Sequence, residues 1–308
     1  MLNSERTYID LIYHASKKYA SWDPEIPVKV GDWGRMTRGK RVLRFWFLRK
    51  HGVFVKEGNI FQDGKAAQYN IPTPVEYGQE GPGGEMWIAS QNAEQVEVST
   101  SVGGATPAVV QCKVKGAFKF SSGRGAILVM ENNTMSSIDP PGSLRRLLED
   151  PSMRDIVVVS EVHSCSSYAR VLTTQEGSTV ALGLSVEPPV ASMSATANAT
   201  WVRSGASGNF KSQVNNKGDR KFYPLFRLVS LTEKAKSTGL RGEEDLDALP
   251  LPDAEPPWQA AEAQKHAALK KQPNTRSVGA PAPTSLHWAT EKTPEVSGIF
   301  HSVYQWPN

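Results

Sequence analysis

Catalysis needs nucleophiles, acids, bases or metal ligands, and in this chain they are sparse. His163 and Cys165 lie two apart, a spacing that puts both side chains on one face of a strand. A nucleophile and its base normally come from different elements and are oriented by a third group, and no third residue accompanies this pair. The six histidines lack H-x-x-x-H spacing and the two cysteines, Cys112 and Cys165, lack C-x-x-C spacing, so the pattern of a structural metal site is missing. The loop Ser121 to Ala126, SSGRGA, has glycines without the lysine and spacing of a phosphate loop, and reads as a β-turn. The expectation is no catalytic residue, no metal and no cofactor.

The stretch with the strongest chemical character is Lys40 to Lys56, KRVLRFWFLRKHGVFVK. Cations surround a Phe-Trp-Phe core, in two β-rich pieces, Val42 to Leu48 and Val53 to Val55, joined by Arg49, Lys50, His51 and Gly52. That pattern predicts a hairpin. In one reading the aromatics are core residues of an edge strand whose cations are solvated. In the other, side chains alternate, so three adjacent aromatics cannot share a face and at least one ring points away from the core. Cationic stems around such a ring suit an acidic lipid surface, where each Lys or Arg contributes on the order of 1 kcal/mol. Nucleic acid is the other polyanion that such a hairpin would fit, so a non-enzymatic nucleic-acid-binding module is the alternative function.

The chain has 308 residues and a formal charge of +4, enough for one large domain or two ordinary ones. The charge is uneven: through Leu231 there are 27 Lys and Arg against 21 Asp and Glu, and beyond it 8 against 10. A basic body therefore precedes a slightly acidic tail. With a pI near 8.9 and the excess concentrated in residues 29 to 56, overall charge alone does not argue for nucleic acid. No window of eighteen uninterrupted apolar residues exists, so no transmembrane helix is expected. The first residues carry Glu5 and Asp10 among apolar positions and predict a helix, not a leader; a cytoplasmic protein with buried thiols at Cys112 and Cys165 is expected.

Apolar residues at Tyr8, Leu11, Ile12, Ala15 and Tyr19 predict an amphipathic helix over Thr7 to Tyr19. Glycines and prolines mark Phe61 to Gly84 as a long irregular connection. Strands are expected at Met86 to Ser90, Gln95 to Val102, Val109 to Phe120 and Gly125 to Met130. Their one-sided amphipathicity fits either a soluble antiparallel sheet or strands able to open into a barrel wall. Ser143 to Glu149 reads as a short helix burying Leu144, Leu147 and Leu148, and Ile156 to Val162 as a central strand. Further strands are expected at Tyr168 to Thr173, Thr179 to Val186 and Phe222 to Leu231, with Pro188 to Gly208 as a loop. Residues 233 to 257 are acidic and proline-bearing and read as a linker, while the final segment ends in apolar residues that favour docking.

The order of these segments resembles the gasdermin family of pore-forming proteins, in its microbial and most closely fungal form. EIPVKV resembles the family's early strand, VLRFWFLRK its basic-aromatic hairpin, SLRRLLEDPSMRDIVVVSEVHSCSSYARVL its leucine-bearing helix running into a central strand, and FYPLFRLVSL its closing strand. The resemblance implies an α+β fold, a twisted mixed or antiparallel β-sheet with surrounding helices, over residues 1–232. A linker, 233–257, and a short inhibitory segment, 258–308, follow. It implies a protein that is latent in the cytoplasm and, once a protease cuts its linker, moves to the plasma membrane, oligomerises and causes regulated cell death, as in fungal heterokaryon incompatibility. Lys40, Arg41, Arg44, Arg49 and Lys50 would contact acidic phospholipid while Phe45, Trp46 and Phe47 embed. Residues 86 to 130 and 156 to 186 would insert as hairpins. Thr232, Leu240, Leu246 and Leu249 mark the region to be cut, and Trp258, Ile299, Phe300, Tyr304 and Trp306 would hold the inhibited state. Nucleic acid is not a partner on this reading.

Overall fold

Helix α1 (Ser4–Ser16) forms because Tyr8, Ile9, Ile12 and Tyr13 recur at helical spacing, and all four are buried. It stops three residues short of Tyr19: the Ser16 hydroxyl donates to the Ile12 carbonyl, 2.9 Å away, and Lys17 takes a φ of 59°. Strand β1 (Tyr19–Ala20) then pairs with Phe226 and Leu225. The computed structural model describes residues 4–37, 53–78, 84–97, 113–174, 177–186, 199–205, 207–231 and 251–259.

Strands β2 (Asp32–Met36) and β3 (Phe54–Asn59) make an antiparallel ladder, followed by helix α2 (Lys65–Gln68) and strands β4 (Val75–Gly78), β5 (Glu85–Ala89) and β6 (Ala93–Gln95). Next come β7 (Lys113–Phe120), β8 (Ala126–Glu131) and β9 (Thr134–Ser137), then a 3-10 turn at Pro141–Leu144 that runs into α3 (Arg145–Glu149). The remaining strands are β10 (Val157–Cys165), β11 (Ser167–Thr173), β12 (Thr179–Val186), β13 (Ala199–Gly205), β14 (Gly208–Val214) and β15 (Phe222–Val229).

These strands make three sheets in which the described pairings are antiparallel, and with the few helices the fold class is α+β. The largest has the order β1-β15-β10-β2-β3, with β9 added to β10 and β4 to β9; the others are β14-β11-β8-β5 and β13-β12-β7-β6. Among the described residues no sheet closes into a barrel. Strand β10 is central, with β15 on one edge and β2 and then β9 on the other, as its run of β-branched residues suggests.

The sheet containing β8 and β11 is a middle layer. Ala126, Leu128, Met130, Tyr168 and Leu172 face a core shared with α1 and the large sheet; Ile127, Val129, Ala169 and Val171 face Phe118, Val180, Leu182 and Trp201 of the third. Strand β8 is therefore buried on both sides, which corrects the expectation of a wet face there. Arg170 is also buried in this layer, its guanidinium 3.7 Å from the Trp22 ring centroid and its Nη1 donating to Asn209. The charge is thus stacked and hydrogen-bonded where it leaves water.

Two connections hold more structure than their composition suggests. Residues 61 to 84 contain α2 and β4, elements of four residues that are too short to show a period. Residues 188 to 208 contain β13, held by the buried Trp201, whose indole N–H donates to the Ser167 hydroxyl at 2.5 Å. The short helix over residues 145–149 and its buried Leu144, Leu147 and Leu148 lie where the sequence places them.

Candidate functional site

All eight residues expected to meet lipid, Lys40, Arg41, Arg44, Phe45, Trp46, Phe47, Arg49 and Lys50, lie outside the described residues. Their attachment points do not. Thr37 N–H donates to the Val53 carbonyl at 2.8 Å, and Met36 pairs with Phe54, so residues 38–52 leave and rejoin the body side by side. Val55 pairs with Arg35 of β2, while the other limb of the expected hairpin, Val42 to Leu48, and its connection at residues 49–52 lie outside the described residues. The register is fixed by Asp32, whose buried carboxylate accepts from the Lys29 N–H at 2.9 Å, from Asn59 Nδ2 at 2.8 Å and from Lys56 Nζ at 2.7 Å. Phe54, 6.1 Å from Phe226, anchors the same strand in the core. The base of the cationic stretch is rigid where a buried carboxylate has donors to satisfy.

The two regions expected to insert as hairpins are neighbours. Strands β7 and β8 join at a turn, residues 121–125; β8 pairs with β11 and β7 with β12, so each connection passes from one sheet to the next. The two corners are tied together by Thr173 N–H to Gly125 O, 2.8 Å, by Gly125 N–H to Thr173 Oγ1, 2.7 Å, and by Phe120 N–H to Ser178 O, 3.0 Å. Gly125 is required there because a Cβ would fall 1.9 Å from the Phe120 ring. At the other end Lys115 of β7 bridges to Glu85, and to Glu131 at 3.7 Å, an ion pair between two layers. Burial and the neighbouring Glu85 raise the Glu131 carboxyl above its usual range, with Lys115 opposing them.

The second feature is a strap, residues 251–259, lying on α1 and on the end of β15. Leu251, Ala254 and Trp258 are each at most 3 % exposed. Val229 and Asp253 form a bridge; Ala254 N–H donates to Leu228 O at 2.9 Å; Arg227 Nε donates to Asp253 at 2.6 Å. Tyr19 donates its hydroxyl to the Ala254 carbonyl. Trp258 Nε1 donates to Asp10 Oδ1 at 2.9 Å, with the Arg6 guanidinium 4.9 Å from its ring, and Gln259 donates to the same Asp10 oxygen at 3.1 Å. Burial, with the nearby Asp253 and Glu255, pushes the Tyr13 phenol up to about 12. Part of the stretch read as a linker, residues 251–257, is therefore seated on the body, as is Trp258. Thr232, Leu240, Leu246, Leu249, Ile299, Phe300, Tyr304 and Trp306 lie outside the described residues.

The His163 and Cys165 pair is absorbed into the core. Burial pushes the Cys165 thiol up to about 12, so it carries almost no thiolate near neutral pH. His163 Nε2 lies 2.9 Å from Glu161 Oε1 and 2.8 Å from Lys18 Nζ, and Asn133 meets its Nδ1. This network joins the end of α1 to β10. Burial opposes the charge on Glu161, but hydrogen bonds from His163 and Lys18 and the Lys18 charge prevail and hold it at about 2. A carboxylate depressed in this way stabilises the fold above its unfolded pKa, near 4.5, and that contribution disappears as pH falls toward about 2. Chemical denaturation across that window is expected to show a loss of about 3 kcal/mol that Glu161→Gln lacks, the two pKa values differing by about 2.5 units; parallel pH profiles for both proteins would contradict this account.

Among the described residues no group of His, Cys, Asp and Glu side chains is placed to hold a metal ion, and no helix is long and apolar enough to cross a membrane. No protein-family model matches the chain, and no curated protein matches it.

Proposed function

We propose that this chain is a latent pore-forming protein of gasdermin type, restrained by its own tail and released by proteolysis between Thr232 and Leu249. The observation that supports it most is the strap, because Leu251 to Gln259 covers α1 and extends the β15 edge while being joined to the body through residues 232–250. The segment leaves at Leu231 and returns at Leu251 close by, since Ser230 N–H meets Pro252 O at 3.4 Å. A cut in it turns an intramolecular contact into a bimolecular one. A short tether holds a segment at an effective concentration of about millimolar, so dissociation follows once that is lost.

Acidic phospholipid is the membrane partner on this reading, met by the cationic stretch after release, and further copies of the chain complete the pore. The adjacent β7-β8 and β11-β12 segments are the ones that would unroll together, since the β8-β11 and β7-β12 ladders and the Gly125 corner already couple them. The test is dye leakage from acidic vesicles using the whole chain with a specific protease site placed between Thr232 and Leu249. Leakage only after cutting is expected. Equal, negligible leakage before and after cutting, with residues 1–240 alone also inactive, would sink the proposal.

A further inference from the structure

The face of the large sheet opposite Glu161 and His163 carries a second polar feature, unrelated to the strap. A cavity of about 360 Å³ is floored by Thr134, Ser136 and Ser164 and flanked by Lys29, Arg220 and Glu76. The floor follows from register: Ser136 stands between Glu76 of β4 and Val162 of β10, and Thr134 pairs with Ser164. Three hydroxyls share this face at period two with the buried Val162, and Val28, Val30 and Tyr223 complete the lining, so the cavity has a polar floor and apolar walls.

Each group is left with capacity for a ligand. Thr134 Oγ1 and Ser164 Oγ are 2.9 Å apart, a contact that uses one of their two protons and leaves the other to donate elsewhere. Arg220 is oriented by Asn132, which accepts from its Nε at 2.9 Å and from Nη2 at 2.7 Å, so Nη1 has no partner among the described residues. Lys29 is exposed and forms no ion pair among the described residues, its backbone N–H being the part held by Asp32. Two cations and three hydroxyls would fit a phosphate or sulfate group. Glu76 disfavours a purely anionic ligand and asks for one that also donates hydrogen bonds.

We infer that this cavity binds a phosphorylated polyol, with the phosphate between Lys29 and Arg220 and a ring hydroxyl donating to Glu76. The same chemistry is found in a free sugar or inositol phosphate and in a phosphoinositol headgroup. The inference does not depend on the pore-forming reading, because the site belongs to the body and not to the strap.

The probe is myo-inositol 1-phosphate, titrated calorimetrically into the full chain, with inorganic phosphate, unphosphorylated myo-inositol and phosphatidylinositol vesicles as separate arms. Saturable binding of myo-inositol 1-phosphate is expected, at least tenfold tighter than phosphate, with no response to myo-inositol. Lys29→Ala and Arg220→Ala should each weaken it about tenfold, as loss of one charge-assisted hydrogen bond does. Ser136→Leu should block the site with both cations retained. Vesicle binding that is lost in the Lys29→Ala, Arg220→Ala double variant, without a response to the free probe, supports the same site with a lipid headgroup as its source. Unchanged binding in the double variant or in Ser136→Leu, with melting temperatures preserved, overturns the inference, as does failure of both the free probe and the vesicles to bind.

Discussion

Trp258→Ala is expected to free the strap in the uncut chain. The indole is 1 % exposed, donates to Asp10 and lies under Arg6. Truncating a buried Trp costs about 3–5 kcal/mol, which shifts a two-state equilibrium by two to more than three decades. The strap has few other large anchors, Leu251, Ala254 and Pro256 being its remaining buried apolar side chains. Hydrogen exchange at Ala254 N–H, which donates to Leu228 O, reads the opening directly. Faster exchange there with unchanged protection of the Val158 and Val159 amides of β10 is the expected pattern. On the function proposed above, the variant also leaks vesicles without a protease. Asp10→Asn keeps an acceptor for the indole and for Gln259 and should retain most of the docking. If Ala254 N–H exchanges no faster in Trp258→Ala, the strap is held by its backbone contacts and the indole is not its anchor.

The composition of the strap conceals its docking. Residues 233–257 are acidic and rich in proline, a composition that disfavours a packed core. Proline removes an N–H donor and leaves the acceptor, however, and the strap uses that asymmetry. Pro252 offers its carbonyl to Ser230, while the donor to β15 comes from Ala254. Asp253, one of the acidic residues, is neutralised by Arg227. Composition counts charges and prolines without locating the partners that satisfy them.

Elements with a strong period were legible: the leucines at positions 144, 147 and 148 and the β-branched run of β10 sit where pattern places them. Of the stripe expected on α1 only Tyr8 and Ile12 are buried in the helix, beside Ile9 and Tyr13, while Leu11 is half-buried, Ala15 is exposed and Tyr19 belongs to β1. Strand β13 was not legible, because a polar run with a single Trp has no alternation to see and gains its burial from the layer beneath it. The Lys18, Glu161 and His163 network was equally invisible, since Lys18 is 143 residues from Glu161 and only the fold brings them together. The reverse holds for the cationic stretch, where residue types alone carry the proposal of a polyanion partner and the structure adds only its anchored base at Thr37, Val53 and Asp32.

That anchored base makes charge reversal there a clean experiment. Changing Arg44, Arg49 and Lys50 to Glu in the cut chain is expected to abolish leakage from acidic vesicles. Each Lys or Arg near such a surface contributes about 1 kcal/mol, and reversal replaces that attraction with repulsion of similar size, so three reversals amount to about 6 kcal/mol. That is more than four decades in membrane affinity. The fold should tolerate the change, because the ladder between β2 and β3 and the Asp32 contacts to Lys29, Asn59 and Lys56 all lie outside the altered positions. A melting temperature within a degree or two of the parent chain is the check on that point. Raising the salt concentration should weaken leakage by the parent chain in the same direction, since surface attraction is screened within about a Debye length. Binding that survives the reversal, or that ignores salt, would place the membrane contact elsewhere on the body. If the reversal instead removed binding to mixed-sequence DNA while leakage persisted, the cationic stretch would be a nucleic-acid surface, because counterion release gives a steep salt slope to that partner as well.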